Sequence, residues 1–144
     1  MMPSDKTASQ GYAYIIGLLL LALGVLGFVS SSSFVVGADV VGEKFLFFEV
    51  NGWLNLLHAV TGLLGLLVAT NPKGAKSYAL AIGILYSILA IWGFNTQDEI
   101  ASLFVTNSAD NILHIAIGAL GLLVGTGVME KLLHPTEARS RRVT

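Results

Sequence analysis

Asn55-Leu56-Leu57-His58-Ala59-Val60-Thr61-Gly62-Leu63-Leu64-Gly65-Leu66-Leu67-Val68 decides the reading of this chain, because it occurs twice. It returns as Asn111-Ile112-Leu113-His114-Ile115-Ala116-Ile117-Gly118-Ala119-Leu120-Gly121-Leu122-Leu123-Val124, with Asn, His and both Gly in register. The helix start repeats as well, since Asn51 falls opposite Asn107 and each is an expected N-cap. On an α-helix that turns about 100° per residue, Asn55, His58, Gly62, Gly65 and Ala69 lie within roughly 80° of one another and form one stripe. Asn111, His114, Gly118, Gly121 and Gly125 form its counterpart. The Asn and His side chains are the strongly polar marks in two otherwise apolar segments, so any specific function is sought here first.

Outward from the repeat, the composition is that of a membrane protein. Of 144 residues, 54% are hydrophobic and only 12% charged, with a mean hydropathy of +0.75. The charges are segregated: none occurs over 7–38, 50–72, 77–97 or 111–129. A hydrocarbon core of about 30 Å needs about 20 helical residues, so the spacing predicts spans at 12–31, 51–70, 76–95 and 109–129. The runs are continuously apolar rather than alternating with period two, which argues against strands. The expected fold class is therefore an all-α membrane protein, a four-helix transmembrane bundle over 12–129. A short N-terminal segment (1–11) and a basic tail (130–144) flank it.

Lys6, Lys73, Lys76, Lys131, Arg139, Arg141 and Arg142 fall on one side of such a bundle and only Lys44 on the other. By the positive-inside rule both termini are cytoplasmic and the protein sits in the inner (plasma) membrane. The chain has no cysteine, which removes disulfides, thiolate catalysis and Cys-ligated metal centres. No basic face interleaved with aromatics lies outside the spans, so nucleic acid is not an expected partner. The expected partners are the lipid bilayer and another membrane protein or a second copy of the chain.

A weaker echo relates Gly17 through Phe28 to Gly83 through Phe94, so the chain reads as two helical hairpins in tandem. Both copies of the stripe run from outside to inside, which makes this a parallel repeat with a pseudo-twofold axis along the membrane normal. Asn71-Pro72-Lys73-Gly74 is a tight inner turn. The first outer loop, 32–50, is too apolar for a solvated linker and is expected to cap the bundle as a short hairpin or an interfacial segment. In the second outer loop Thr96-Gln97-Asp98-Glu99 matches a capping box, which predicts one or two surface helical turns through Ile100, Leu103 and Phe104. Pro135 is expected to end the last helix.

His58 and His114 lie at equal depth below Asn51 and Asn107, and three uses fit the pair. In the first, Gly62, Gly65, Gly118 and Gly121 let spans two and four pack closely at the centre, and Asn55, His58, Asn111 and His114 hydrogen-bond across that contact. This explains every member of the stripe and makes the chain a structural or interaction protein without a cofactor. In the second, the imidazoles ligate haem b or a metal while the Asn side chains orient them. Two ligands leave a zinc site incomplete, and closely packed glycines leave no room for a porphyrin. In the third the pair belongs to a proton or small-solute conduit, against which no intramembrane carboxylate is expected, Asp110 being assigned to the second outer loop, and no span is broken by proline. No nucleophile, acid and base converge, so catalysis is not expected.

Phe48-Glu49-Val50-Asn51 followed by Asn55-Leu56-Leu57-His58 and Gly62, with Asp110-Asn111-Ile112-Leu113-His114 and Gly118 later, resembles a bacterial membrane family known only as domain of unknown function 4383. The resemblance covers about 14–128 and implies a four-span integral membrane protein, with no activity attached.

Overall fold

The structure is a computed structural model that describes residues 6–96 and 99–133. Four long helices, α1 (Ala8–Ser30), α2 (Gly52–Val68), α3 (Pro72–Asn95) and α4 (Ser108–Gly125), are followed by a short α5 (Val128–Leu133). Each long helix starts on a side chain that satisfies amide donors left open in its first turn. Thr7 and Gln10 form a capping box on α1, and Asn51 Oδ1 accepts from Leu54 N at 2.9 Å on α2. Asn71 accepts from Lys73 N and Gly74 N on α3, with Pro72 as first helical residue, where its missing N–H costs nothing. Asn107 and Asp110 form a second capping box on α4.

Polarity is inverted relative to a water-soluble bundle. Tyr12, Tyr86, Asn55, Asn111, His58 and His114 are buried, while Ile15, Val25 and Val29 of α1, Leu63 and Leu67 of α2, Ile84, Ile88 and Ile91 of α3, and Ile112 and Ile115 of α4 face outward. Such an apolar exterior suits hydrocarbon rather than water. By length and composition α1, α3 and α4 can cross a membrane. The apolar α2 is shorter, at 17 residues or about 26 Å.

Helix α1 packs along α2 and α3 along α4, and the two pairs meet mainly through α1 and α3. The expectation that α2 and α4 touch along their glycines is corrected. Those stripes turn onto the other helix of their own pair, since a glycine lets two backbones approach wherever a partner backbone lies, and the connected neighbour supplies it. A Cβ on Gly62 would overlap Leu21 N, and one on Gly125 would lie 2.6 Å from Leu80 N. At one end the start of α1 is tied to the end of α2 by Gln10 Nε2, which donates to Ala69 O and Thr70 O at 3.1 Å each.

The opposite end is closed by two antiparallel hairpins, β1 (Glu43–Phe45) with β2 (Phe48–Val50) and β3 (Glu99–Ile100) with β4 (Phe104–Val105). The first fits the hairpin alternative for the loop at 32–50. The second corrects the surface helix expected at Ile100, Leu103 and Phe104. Ala101 and Ser102 adopt positive φ and turn the chain back, while Thr96 Oγ1 sits between Trp92 O and Glu99 O, with one proton to donate, and so closes the end of α3 instead of starting a new helix. Gln97 and Asp98 of the supposed capping box lie outside the described residues, as do Pro135 and the arginines of the basic tail.

Candidate functional site

The two halves of the sequence repeat meet at one pair of side chains. His58 Nε2 and His114 Nε2 are 3.2 Å apart, and the rings, 2% and 0% exposed, are tilted 74° to each other. A hydrogen bond between two Nε2 atoms needs one ring to donate and the other to accept, so two neutral rings hold complementary tautomers. The accepting ring then carries its proton on Nδ1. Neither Nδ1 has a hydrogen-bond partner among the described residues. Moving the bridging proton alone would leave an imidazolate beside an imidazolium, and neither Nδ1 has a partner among the described residues through which neutral tautomers could interchange.

Asn55 and Asn111, expected to bond across the centre beside the histidines, turn instead onto their own hairpins. Asn55 Nδ2 donates to Ser31 O at 2.8 Å, satisfying a carbonyl left open where α1 ends. Its Oδ1 lies where a Cβ on Gly27 would stand, so a Gly27 Cα–H points at it. Asn111 has the same relation to Gly93. The remaining glycines are placed alike. A Cβ on Gly65 would meet Tyr78 Oη at 2.6 Å and Ala13 O at 2.9 Å, and one on Gly121 would meet Tyr12 Oη and Ala79 O at 2.7 Å each. Gly118 rests on Ser87.

Asn51 and Asn107 do more than cap. Asn51 Nδ2 donates to Leu103 O at 2.8 Å, and Asn107 Nδ2 donates to Phe47 O at 3.0 Å, so each helix start holds the other hairpin's turn.

Several polar residues that matter to the site were not singled out by the sequence. Tyr12 Oη donates to Ile117 O at 2.8 Å and Tyr78 Oη donates to Thr61 O at 3.0 Å, two reciprocal ties between the hairpins. The signal existed, because Tyr12 and Tyr78 are separated like Gly17 and Gly83, a little upstream of the aligned stretch. Tyr86 lies against both imidazoles, stacked on His58 at 6.0 Å and edge-on to His114 at 5.1 Å. Thr61 gives its only hydroxyl proton to Leu57 O at 2.7 Å, so Tyr86 Oη is the donor in their 2.9 Å contact.

Asp110 corrects the expectation that the helices contain no carboxylate. It is 1% exposed in the first turn of α4, one turn from His114, and its Oδ2 accepts from Asn107 N and Glu49 N at 2.9 Å each. Asn107 followed three residues later by Asp110 is itself a capping signature, which could have placed Asp110 inside the helix. A crevice lined by Leu23, Phe45, Phe48, Val50, His58 and Asp110 runs beneath the first hairpin and is too narrow to admit water.

A family model described as "Domain of unknown function (DUF4383)" matches residues 10–127. No curated protein and no solved structure matches the chain.

Proposed function

Since the chain belongs to the DUF4383 family of domains of unknown function, we propose that it is an integral membrane protein with four spans, built as a tandem repeat of two hairpins about a pseudo-twofold axis along the membrane normal. Both termini are cytoplasmic in the inner membrane, and the bundle is a structural or interaction module for another membrane protein or a second copy. The reciprocal bonds of Tyr12 and Tyr78 support the repeat. Joining of the start of α1 to the end of α2 supports an even number of spans, with α2 crossing beside α1.

The observation that carries the structural role is the 3.2 Å contact of His58 with His114. Each imidazole uses its Nε2 on the other, where the stripes of the two halves meet. A haem iron between opposed imidazoles needs about 4 Å between the nitrogens, at about 2 Å per bond, and space for a porphyrin beside them. The ring of Tyr86 occupies the flank of both histidines. A metal finds two nitrogens and, among the described residues, no third His, Asp or Glu grouped with them. These residues do not fit either group. A conduit draws support from Asp110 in the same crevice as His58, but that crevice is too narrow for water and neither Nδ1 has a partner among the described residues.

Single-cysteine variants of this cysteine-free chain test the topology. Val41→Cys is expected to react with an impermeant maleimide in intact cells, and Lys131→Cys only after permeabilisation. Reaction of both from the same side would reject four spans. In liposomes, proton flux is expected to match protein-free controls. A flux abolished by His58→Ala would replace the structural reading with the conduit.

A further inference from the structure

We propose that the end of the bundle opposite the two hairpins carries a phosphate-binding recess, which in the membrane takes the headgroup phosphate of an anionic glycerophospholipid. The recess, of about 270 Å³, is lined by Thr7, Ser9, Lys73, Lys76, Gly127 and Glu130, together with Pro72 and Val124. It lies where α1 and α3 begin and α4 passes into α5. The volume exceeds one phosphate group and leaves space for part of a glycerol.

Three observations point to an anion. Lys73 and Lys76 stand one turn apart on α3 and so share a face, and neither has an ion-pair partner among the described residues. Lys76 Nζ reaches across the opening, 3.8 Å from where a Cβ on Gly127 would be. Ser9 lines the recess, and its hydroxyl has no hydrogen-bond partner among the described residues. That hydroxyl is free to donate, and a phosphate oxygen in the recess would accept its proton.

Among the described residues lining the recess, Glu130 is the one opposing charge. Its Oε2 accepts from Ala8 N at 3.4 Å, which holds the carboxylate at the start of α1 and leaves two ammonium groups against one carboxylate. The helix starts themselves are largely used, that of α3 by Asn71, so the two lysines and the serine make the site. Charge and hydroxyl donors of this kind select phosphate oxygens, and basic recesses between helices at a membrane surface suit anionic headgroups. The lipid assignment rests on the membrane reading above. The phosphate chemistry does not.

The test uses the full chain in neutral detergent, titrated separately with short-chain phosphatidylglycerol, short-chain phosphatidylcholine and inorganic phosphate. Wild type is expected to bind phosphatidylglycerol at least tenfold more tightly than phosphatidylcholine. The double variant Lys73→Gln/Lys76→Gln is expected to lose about thirtyfold in affinity, at about one factor of five per lysine. Ser9→Ala should lose severalfold, and Lys6→Gln/Lys131→Gln, with the same charge change outside the recess, less than threefold. Inorganic phosphate binding as tightly as the lipid would identify a soluble phosphate as occupant, and lipid binding tenfold tighter would identify the headgroup. Equal losses in the two double variants, or unchanged affinity in both Lys73→Gln/Lys76→Gln and Ser9→Ala, would overturn the site.

Discussion

Gly62 rests on Leu21 and Gly65 on Ala13 in the first hairpin, while Gly118 rests on Ser87 and Gly121 on Ala79 in the second. Position for position these contacts correspond, since each glycine lies against backbone of the equivalent residue on its own hairpin. Toward the centre and the outer end the halves diverge. Tyr86 and Thr61 form a hydrogen-bonded pair, but the corresponding residues, Leu20 and Ile117, are buried and apolar. Asp110 holds Asn107 N and Glu49 N where the first hairpin has Leu54. The comparison separates two demands on the same helices. Close approach leaves little freedom in the glycines, whereas interior polarity differs between corresponding positions, with Thr61 in the first half and Tyr86 and Asp110 in the second, and it surrounds the His pair unequally.

The largest effects should come from the shared contacts. Gly62→Leu and Gly118→Leu are each expected to cost about 1–3 kcal/mol in detergent unfolding. Alanine sharpens the contrast. At Gly62 the new methyl would overlap Leu21 N, whereas at Gly118 it meets Ser87 Oγ, which can rotate away, and then Ser87 N at 2.8 Å. Gly62→Ala should therefore be the more damaging of the two, and equal costs would mean that the hairpins adapt to a side chain equally well.

Next come the residues that make the halves differ. Tyr86→Phe should cost about 1 kcal/mol by leaving Thr61 with one bond fewer. Tyr86→Leu/Thr61→Ile copies the other half, and by removing both polar partners together it should recover the hydrogen-bond part of that loss. If the double variant folds well but the protein's cellular role is lost, the added polarity serves more than packing.

The smallest effects should belong to the reciprocal ties. Tyr12→Phe and Tyr78→Phe are expected to cost about 0.6 kcal/mol each, a usual value for a side-chain hydrogen bond within a membrane bundle. A cost several times larger for one of them would break the equivalence of the halves.

Much of this was legible because membrane helices obey coarse rules. Charge-free runs located four helices, and the matched Asn, His and Gly marked the residues that are buried. What the stripe did not reveal was its direction. Asn55, His58 and Gly62 lie within one broad face, yet Asn55 and Gly62 turn to α1 while His58 reaches α4. A face of roughly 80° is wide enough to touch two neighbours, and sequence spacing alone does not divide it. Tyr12 and Tyr78 lie near helix starts, where sequence alone does not separate an interfacial anchor from a tie between hairpins. The surface helix expected near Ile100 failed because the cap pattern of Thr96 to Glu99 says nothing about the positive φ of Ala101 and Ser102 that follows. Asp110 was read with the loop because its charge outweighed its place three residues after a cap.

The central claim is that His58 and His114 are each other's partner. It is tested most directly by ¹⁵N NMR of histidine-labelled protein in lipid bilayers, with His134→Gln leaving only the two rings of interest. The account predicts one ring protonated at Nε2 and the other at Nδ1, with a ¹⁵N–¹⁵N coupling between the two Nε2 atoms that disappears in His58→Ala and in His114→Ala. Two rings in the same tautomer with no coupling between them would contradict it.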